Sequence, residues 1–256
     1  MIKIGLQKAV ILLHAFPLNK DMYHFQIQAF QKENIPFIAV DYPGFGDNPP
    51  PEVDYTIETL TDSIFWQAHQ IGIKELILIG DSMGGYIMFQ MWKKYKEYIK
   101  GLIFTATRAE ADTEEAKKAR YALIKRVEEN GKDFLIDAMI EAQTSPKTKQ
   151  DEKKIRTLRC IMEKATEKGI VKALKALAER EDNTKILDTI YVPTLVIAGK
   201  DDEKVTPPSI VKHIADGIDG AKFYEIENSA HLPPFENPDE YNKIIIPFIK
   251  EIFKEK

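Results

Sequence analysis

Residues 76–85 read LILIGDSMGG, and this stretch decides the fold. Its first four residues are apolar and have the length and composition of a buried strand. Two glycines, Gly80 and Gly84, frame Ser82, and residues 86–95 then carry apolar side chains at helical spacing. The stretch therefore predicts a strand, a sharp turn and a helix, with Ser82 at the turn.

A turn of this kind gives the serine an unusual position. In the Gly-x-Ser-x-Gly pattern the glycines let the strand and the helix approach closely, and the serine hydroxyl is exposed at the carboxyl edge of the sheet. The backbone N–H of Met83 would point towards a negative charge that develops on a substrate oxygen. We predict that Ser82 is a nucleophile; the alternative is a glycine-rich turn without chemistry.

The rest of the chain alternates between short apolar runs and amphipathic stretches. Strands are predicted at 9–13, 36–40, 75–79, 101–105, 193–198 and 221–226. Helices are predicted at 57–70, 86–95, after Pro207 and Pro208, and at 238–254. Strands that alternate with helices indicate an α/β fold with a mostly parallel sheet and helices on both faces.

The middle of the chain follows a different pattern. Between the fourth and fifth predicted strands, apolar residues recur only at helical spacing. We predict a helical cap of three to five helices at 107–185, inserted into a core formed by 1–106 and 186–256. The apolar residues of the cap, together with Phe16 and Met83, predict a hydrophobic substrate.

Composition narrows the function classes. The 256 residues carry a net charge of −4 and show no basic face, which argues against nucleic acid as a partner. No run approaches the roughly 20 apolar residues of a membrane helix, so no membrane partner is expected. Cys160 is the single cysteine and the N-terminus lacks a secretory signal pattern, which together predict a cytoplasmic protein. Without a metal-binding cluster or a dinucleotide fingerprint, we expect no cofactor.

A serine hydroxyl needs a base, and the base needs an orienting acid. His231 follows the last predicted strand, at the sheet edge where Ser82 is expected, and is the best candidate base. Asp201 and Asp202 follow the preceding strand, and position alone leaves both open as the acid. Less favoured acids after the fourth strand are Glu110 and Asp112.

The developing oxyanion needs a second backbone donor. Residues 14–17 follow the first predicted strand and are expected near Ser82. We assign the second donor to the N–H of Phe16, paired with the N–H of Met83.

Five separated segments resemble the α/β-hydrolase superfamily. They are the oxyanion loop at 14–17, the loop at 41–48, the turn at 80–85, the acid loop at 199–202, and His231 with Glu236 and Pro238. The acid loop of the superfamily reads G-x-x-D, so the resemblance implies Asp202, three residues after Gly199. The chain order of serine, acid and histidine is also that of the superfamily. Residues 105–113 are similar to a group of small carboxylesterases and 3-oxoadipate enol-lactonase-like proteins.

The resemblance implies a triad of Ser82, His231 and Asp202 that cleaves a small-molecule ester through an acyl-enzyme. Hydrolysis of an enol-lactone or of a carbon–carbon bond would use the same triad. A small-molecule receptor on the same fold is an alternative outside catalysis, and no pattern specifies an oligomeric state.

Three departures from the superfamily pattern stand out. Only thirteen residues precede His14, so the usual N-terminal hairpin is expected to be missing or reduced. Ala15 stands where a glycine is usual in the oxyanion loop. Asp81 stands where a histidine is common, and its carboxylate either raises the basicity of His231 or faces solvent.

Overall fold

The computed structural model describes residues 7–254, and within them six strands form one parallel sheet. The strands are Lys8–Leu13 (β1), Phe37–Val40 (β2), Glu75–Asp81 (β3), Ile99–Thr105 (β4), Thr194–Gly199 (β5) and Lys222–Ile226 (β6). Their order across the sheet is β2-β1-β3-β4-β5-β6.

The helices within residues 7–254 lie on both faces of this sheet and in one segment between β4 and β5. They are His24–Lys32 (α1), Ile57–Gln70 (α2), Met83–Tyr95 (α3), Glu114–Asn130 (α4), Asp133–Gln143 (α5), Pro146–Lys149 (α6), Glu152–Glu163 (α7), Glu167–Ala178 (α8), Pro208–Gly217 (α9), Pro233–Glu236 (α10) and Pro238–Lys254 (α11). Helices α2, α3 and α9 pack on one face, and α1 and α11 pack on the other. The predicted α/β fold class is confirmed.

The apolar runs of the sequence are explained by this double cover. In β3, Leu78 packs into the core on one face, whereas Ile77 and Ile79 pack into the core on the other. Because side chains alternate along a strand, a continuous apolar run fills both cores at once.

The strand order reverses between β1 and β3, and this positions the site. From β1 the chain moves outward to β2 and then crosses back to β3, on the other side of β1. Such a reversal opens a crevice at the carboxyl ends of the two strands, where open α/β sheets bind ligands. Ser82 follows β3 directly, and residues 14–17 follow β1, so both lie at this crevice.

Helices α4 to α8 form one continuous helical segment between β4 and β5. These five helices agree with the predicted range of three to five. One of the contacts between this segment and the rest of the molecule lies at the start of α8, where the N–H of Thr166 donates to the carbonyl of Gly44 at 2.8 Å. A Cβ on Gly169 would lie 2.7 Å from that same oxygen, so the contact requires a glycine. The predicted division into core and cap at residue 107 and residue 185 stays a prediction.

Several element bounds differ from those predicted, most of them by one or two residues. Helix α3 begins at Met83, three residues earlier than its apolar periodicity indicated, because Gly84 and Gly85 carry no side chain to show the pattern. Strand β4 begins at Ile99 instead of residue 101.

The prediction of a missing or reduced N-terminal hairpin concerns residues 1–6 and lies outside the described residues. Strand β1 itself is parallel to both of its neighbours, β2 and β3. In residues 7–254 no helix has both the length and the apolar character of a bilayer-spanning segment.

Candidate active site

Ser82 sits in a strained turn between β3 and α3. Its backbone angles are φ 52° and ψ −108°, a region that non-glycine residues rarely occupy. The turn is held from several sides: the N–H of Ser82 donates to the carbonyl of Thr105 at 2.9 Å, and its carbonyl accepts from the Thr107 hydroxyl at 2.8 Å. The surrounding structure thus fixes Ser82 in the geometry that the sequence pattern predicted.

The glycines of the turn are required by close backbone approaches. A Cβ on Gly84 would overlap the carbonyl oxygen of Leu13 at the end of β1. A Cβ on Gly80 would lie 2.5 Å from the backbone of Gly84. Helix α3 can therefore begin close to the carboxyl ends of β1 and β3 only with glycine at both positions.

A continuous chain of hydrogen bonds joins Ser82, His231 and Asp202. The Nε2 atom of His231 lies 2.8 Å from the Oγ of Ser82, and its Nδ1 lies 2.7 Å from Oδ2 of Asp202. The side chains of His231 and Asp202 are both fully buried. When Nδ1 carries the proton and donates to the carboxylate, Nε2 is free to accept the hydroxyl proton of Ser82.

Asp202 is held as a carboxylate by its surroundings. Burial opposes ionisation, but the attraction to His231 and hydrogen bonds from His231 and from the N–H groups of Val205 and Thr206 keep the pKa of Asp202 below its usual value. The neighbouring Asp201 is only half-buried, and its N–H donates to the carbonyl of Ser229. Of the two aspartates that the sequence left open, the structure brings Asp202 against His231.

The other two acids considered from the sequence lie elsewhere in the network. Asp112 pairs with Arg120 and with Arg180, whose Nη1 lies 2.6 Å from Oδ1 of Asp112. Glu110 lies 3.3 Å from the Nδ1 of His213. Neither carboxylate contacts His231 within the part of the chain that the structure describes.

Glu236 fixes the turn that carries His231. Its buried carboxylate accepts hydrogen bonds from the N–H groups of Ala230 at 2.7 Å, Ser145 at 2.7 Å and Leu232 at 3.3 Å. Two of these donors flank His231 directly, so the position of the imidazole depends on the carboxylate of Glu236. The sequence had associated Glu236 with His231 only through the resemblance.

Gln143 was missed by the sequence reasoning. It is buried at the end of α5, its carbonyl accepts from the N–H of His231 at 3.0 Å, and its Nε2 donates to the carbonyl of Phe16 at 2.8 Å. It therefore ties the histidine turn to the loop after β1. A signal was present, since Gln143 falls three residues after Ile140 on the apolar stripe of its helix.

The loop after β1 is also fixed by His14. Its Nδ1 contacts the carbonyl of Ala15 at 2.9 Å, and its Nε2 accepts from the N–H of Tyr42 at 3.1 Å. Burial lowers the pKa of His14 to about 4, which keeps the ring neutral. Among the hydrogen bonds of residues 7–254, none is donated by the N–H of Phe16 or of Met83.

Asp81, directly before Ser82, is fully buried, so the expectation that it faces solvent was wrong. Neither of its carboxylate oxygens has a hydrogen-bond partner within residues 7–254. Burial raises the pKa of Asp81 well above its usual range, and the negative charges of Asp202 and Glu236 raise it further. Burial and these two charges therefore both favour the protonated form of the carboxyl.

A cavity of about 250 Å³ opens above Ser82 and His231. Apolar side chains from the core and from the helical segment line it: Phe16, Met83, Tyr86, Leu123, Met139, Leu174 and Leu177. Charged side chains also line it, namely Arg108, Asp112, Arg120 and Arg180. The predicted hydrophobic lining is therefore incomplete, because the sequence pattern of the helices did not reveal these charges. In the described residues no cluster of three or more His, Cys, Asp or Glu side chains forms a metal site.

Comparisons with known proteins agree with this architecture. A family model described as alpha/beta hydrolase fold matches residues 8–238. The AB hydrolase superfamily protein YisY of Bacillus subtilis is 29% identical over 259 residues, which cover 96% of this chain and 92% of that protein.

Two solved structures are similar over nearly the whole chain. A thermophilic esterase from Thermogutta terrifontis, solved with malate bound, has a TM-score of 0.92 and 30% identity, with 97% of this chain and 91% of that chain covered. The enol-lactonase from Burkholderia xenovorans LB400 has a TM-score of 0.86 and 22% identity, with coverage of 96% and 92%, and at this identity it supports the fold alone.

Proposed function

The chain belongs to the alpha/beta hydrolase fold family, and from that premise we propose that it cleaves small carboxylic esters with Ser82 as nucleophile. The observation that carries the proposal is the hydrogen-bonded chain from the Oγ of Ser82 through His231 to Asp202. Similarity to the Thermogutta esterase over 97% of this chain supports the same reaction class.

The first half of the proposed reaction forms an acyl-enzyme. The Oγ of Ser82 attacks the ester carbonyl carbon while its proton moves to Nε2 of His231. The carbonyl oxygen becomes an oxyanion, and the N–H groups of Phe16 and Met83 are the donors proposed to stabilise it. When the intermediate collapses, the bond to the alkoxy group breaks, and His231 returns the proton to the departing alcohol.

The second half uses the same groups on water. His231 takes a proton from a water molecule, whose oxygen attacks the acyl carbon; collapse then releases the carboxylic acid and restores the Ser82 hydroxyl. Asp202 keeps Nδ1 protonated throughout and stabilises the positive charge that forms twice on the imidazole.

The size of the cavity argues for a small substrate. Its volume of about 250 Å³ falls at or below the range of roughly 300–1,000 Å³ that is usual for small-molecule sites. We therefore propose esters of short acids and short alcohols. A cytoplasmic location remains part of the proposal, supported by the single cysteine Cys160.

The test is turnover of p-nitrophenyl acetate and p-nitrophenyl butyrate by the wild-type protein and by Ser82→Ala. Loss of the nucleophile should lower kcat by at least about 10⁴-fold without unfolding the chain, because the hydroxyl is the attacking group. Ser63→Ala is the matched control, since Ser63 is exposed on α2 and distant in sequence from the turn.

Two results would refute the proposal. One is hydrolysis by Ser82→Ala at a rate close to that of Ser63→Ala. The other is release of a single equivalent of p-nitrophenol per wild-type protein molecule, which is the behaviour of a receptor that reacts once.

A further inference from the structure

The charged side chains of the active-site cavity do not balance. Three arginines, Arg108, Arg120 and Arg180, line it together with a single aspartate, Asp112, an excess of two positive charges. Unpaired cations next to a partly dry cavity are costly, and they are retained where a ligand brings the opposite charge.

Two of the arginines already have a protein partner. Asp112 lies between Arg120 and Arg180 and accepts from both guanidinium groups. Arg180 is also fixed by the carbonyls of Leu177 and Glu110 and lies over the ring of Tyr86 at 4.3 Å. These contacts make the pair a rigid part of the cavity wall.

Arg108 is the cation that no carboxylate neutralises. Within residues 7–254 no Asp or Glu oxygen lies within 4 Å of its guanidinium, and its one recorded hydrogen bond goes from Nη2 to the carbonyl of Val205 at 2.6 Å. Glu110, two residues further along, contacts His213 instead. Of the five N–H groups of a guanidinium, those not turned towards Val205 remain available.

Hydrogen bonds of Thr107 and Val205 connect the position of Arg108 to the nucleophile and to the acid. The preceding residue, Thr107, donates its hydroxyl to the carbonyl of Ser82 at 2.8 Å. On the other side, the N–H of Val205 donates to Oδ1 of Asp202 at 3.0 Å, while its carbonyl holds Arg108. The guanidinium is therefore fixed by Val205, and its side chain lines the same cavity as Ser82 and His231.

We propose that the substrate carries an ionised carboxylate in addition to the scissile ester, and that Arg108 binds it. This inference rests on the proposed function and narrows it from esters in general to half-esters of short dicarboxylic acids. A guanidinium matches a carboxylate with paired, charge-assisted hydrogen bonds, so Arg108 would select these substrates over neutral esters.

The experiment compares monomethyl glutarate with dimethyl glutarate at pH 7.5 and low salt, following acid release. Wild-type protein should show the higher kcat/KM on the anionic half-ester. In Arg108→Gln the ratio of the two kcat/KM values should fall by about 10- to 100-fold, the usual size of a lost hydrogen bond to a charged group. Arg108→Lys, which keeps the charge, should recover part of the ratio.

Arg156→Gln is the matched control, because Arg156 is an exposed arginine on α7 and should leave the ratio unchanged. The inference is overturned if the ratio stays the same in Arg108→Gln, or if the wild-type protein prefers the diester. In either case, Ser82-dependent turnover of p-nitrophenyl acetate would still support the proposed function. If no ester is turned over, calorimetric titration with glutarate still tests whether Arg108 binds a carboxylate. Binding that is lost in Arg108→Gln and kept in Arg156→Gln supports the subsite. Absence of binding to the wild-type protein refutes it.

Discussion

The three residues of the candidate triad could be predicted from sequence because each follows a strand that can be recognised. Ser82, Asp202 and His231 lie after β3, β5 and β6, and parallel strands bring their carboxyl ends to one edge. The choice of Asp202 over Asp201 came from a motif, since strand order alone cannot separate adjacent residues.

Asp202→Asn and Asp201→Asn should therefore behave very differently. An amide at 202 cannot stabilise a charged imidazole at His231, so kcat should fall by about 10³- to 10⁴-fold. Asp201→Asn should stay within about threefold of wild type, because its side chain is half-exposed and away from the imidazole. Steady-state kinetics on p-nitrophenyl acetate make the comparison, and a larger loss in Asp201→Asn would contradict the geometry.

Asp81 could not be interpreted from sequence, because burial depends on the whole fold. Its folded-state pKa lies above the unfolded value of about 3.9, so its contribution to stability is fully present below that pH and is lost as pH rises towards the folded pKa. The substitution Asp81→Asn replaces this carboxyl by an amide that does not titrate, so the variant lacks this pH-dependent contribution to stability.

The stability of Asp81→Asn relative to wild type should thus increase as pH rises from about 5 towards the folded pKa of Asp81. Each pH unit between the unfolded and the folded pKa changes the free energy of unfolding by about 1.4 kcal/mol. Urea unfolding at pH 5, 7 and 9 measures the change, with the exposed Asp219→Asn as control. Parallel pH profiles for Asp81→Asn and wild type would show that the carboxyl is not neutral in the folded protein.

At the scale of elements, local patterns predicted the regular helices well, but they did not reveal contacts between residues far apart in the chain. Helices α2 and α11 match their predicted bounds because their apolar periodicity is uninterrupted. The start of α3 was missed at its glycines. Gln143 and Arg108 were missed because their roles arise from contacts with residues far along the chain, such as Phe16 and Val205.

The histidine turn gives a prediction at this scale. In Glu236→Gln one acceptor oxygen becomes an NH₂ group that faces backbone donors, so the free energy of unfolding should fall by about 1–3 kcal/mol. Because the turn positions His231, kcat should fall while KM changes little. Glu240→Gln is the control, because Glu240 is exposed on α11. Identical unfolding curves and identical kcat for the two variants would exclude a positioning role for Glu236.

At the scale of the whole molecule, the close approach of Gly169 to Gly44 joins α8 to the core. In Gly169→Ala the new Cβ would overlap the carbonyl of Gly44, so α8 must move outward, at a cost of about 1–3 kcal/mol. Leu174 and Leu177, which line the cavity, belong to this helix and should move with it.

Two measurements test this prediction. Urea unfolding should report the loss of stability, and KM for p-nitrophenyl butyrate should change more than KM for the acetate. Lys168→Ala is the control, since it removes only an exposed ion pair with Glu52. An unchanged unfolding midpoint in Gly169→Ala would mean that the two backbones can separate without cost.

Strands β4 and β5 are neighbours in the sheet, and this affects how the helical segment between them can change during evolution. Leu102 pairs with Thr194 and Thr105 with Ile197, so the chain leaves and re-enters the sheet at neighbouring positions. A helical segment of another length or sequence can be exchanged at this junction without disturbing strand register. Selection can thus change the helices above Ser82 while the strands that carry the site are kept, provided that a new segment replaces the contacts of Gln143 and Ser145 with the turn that carries His231. Substrate range can then diverge within a lineage faster than chemistry.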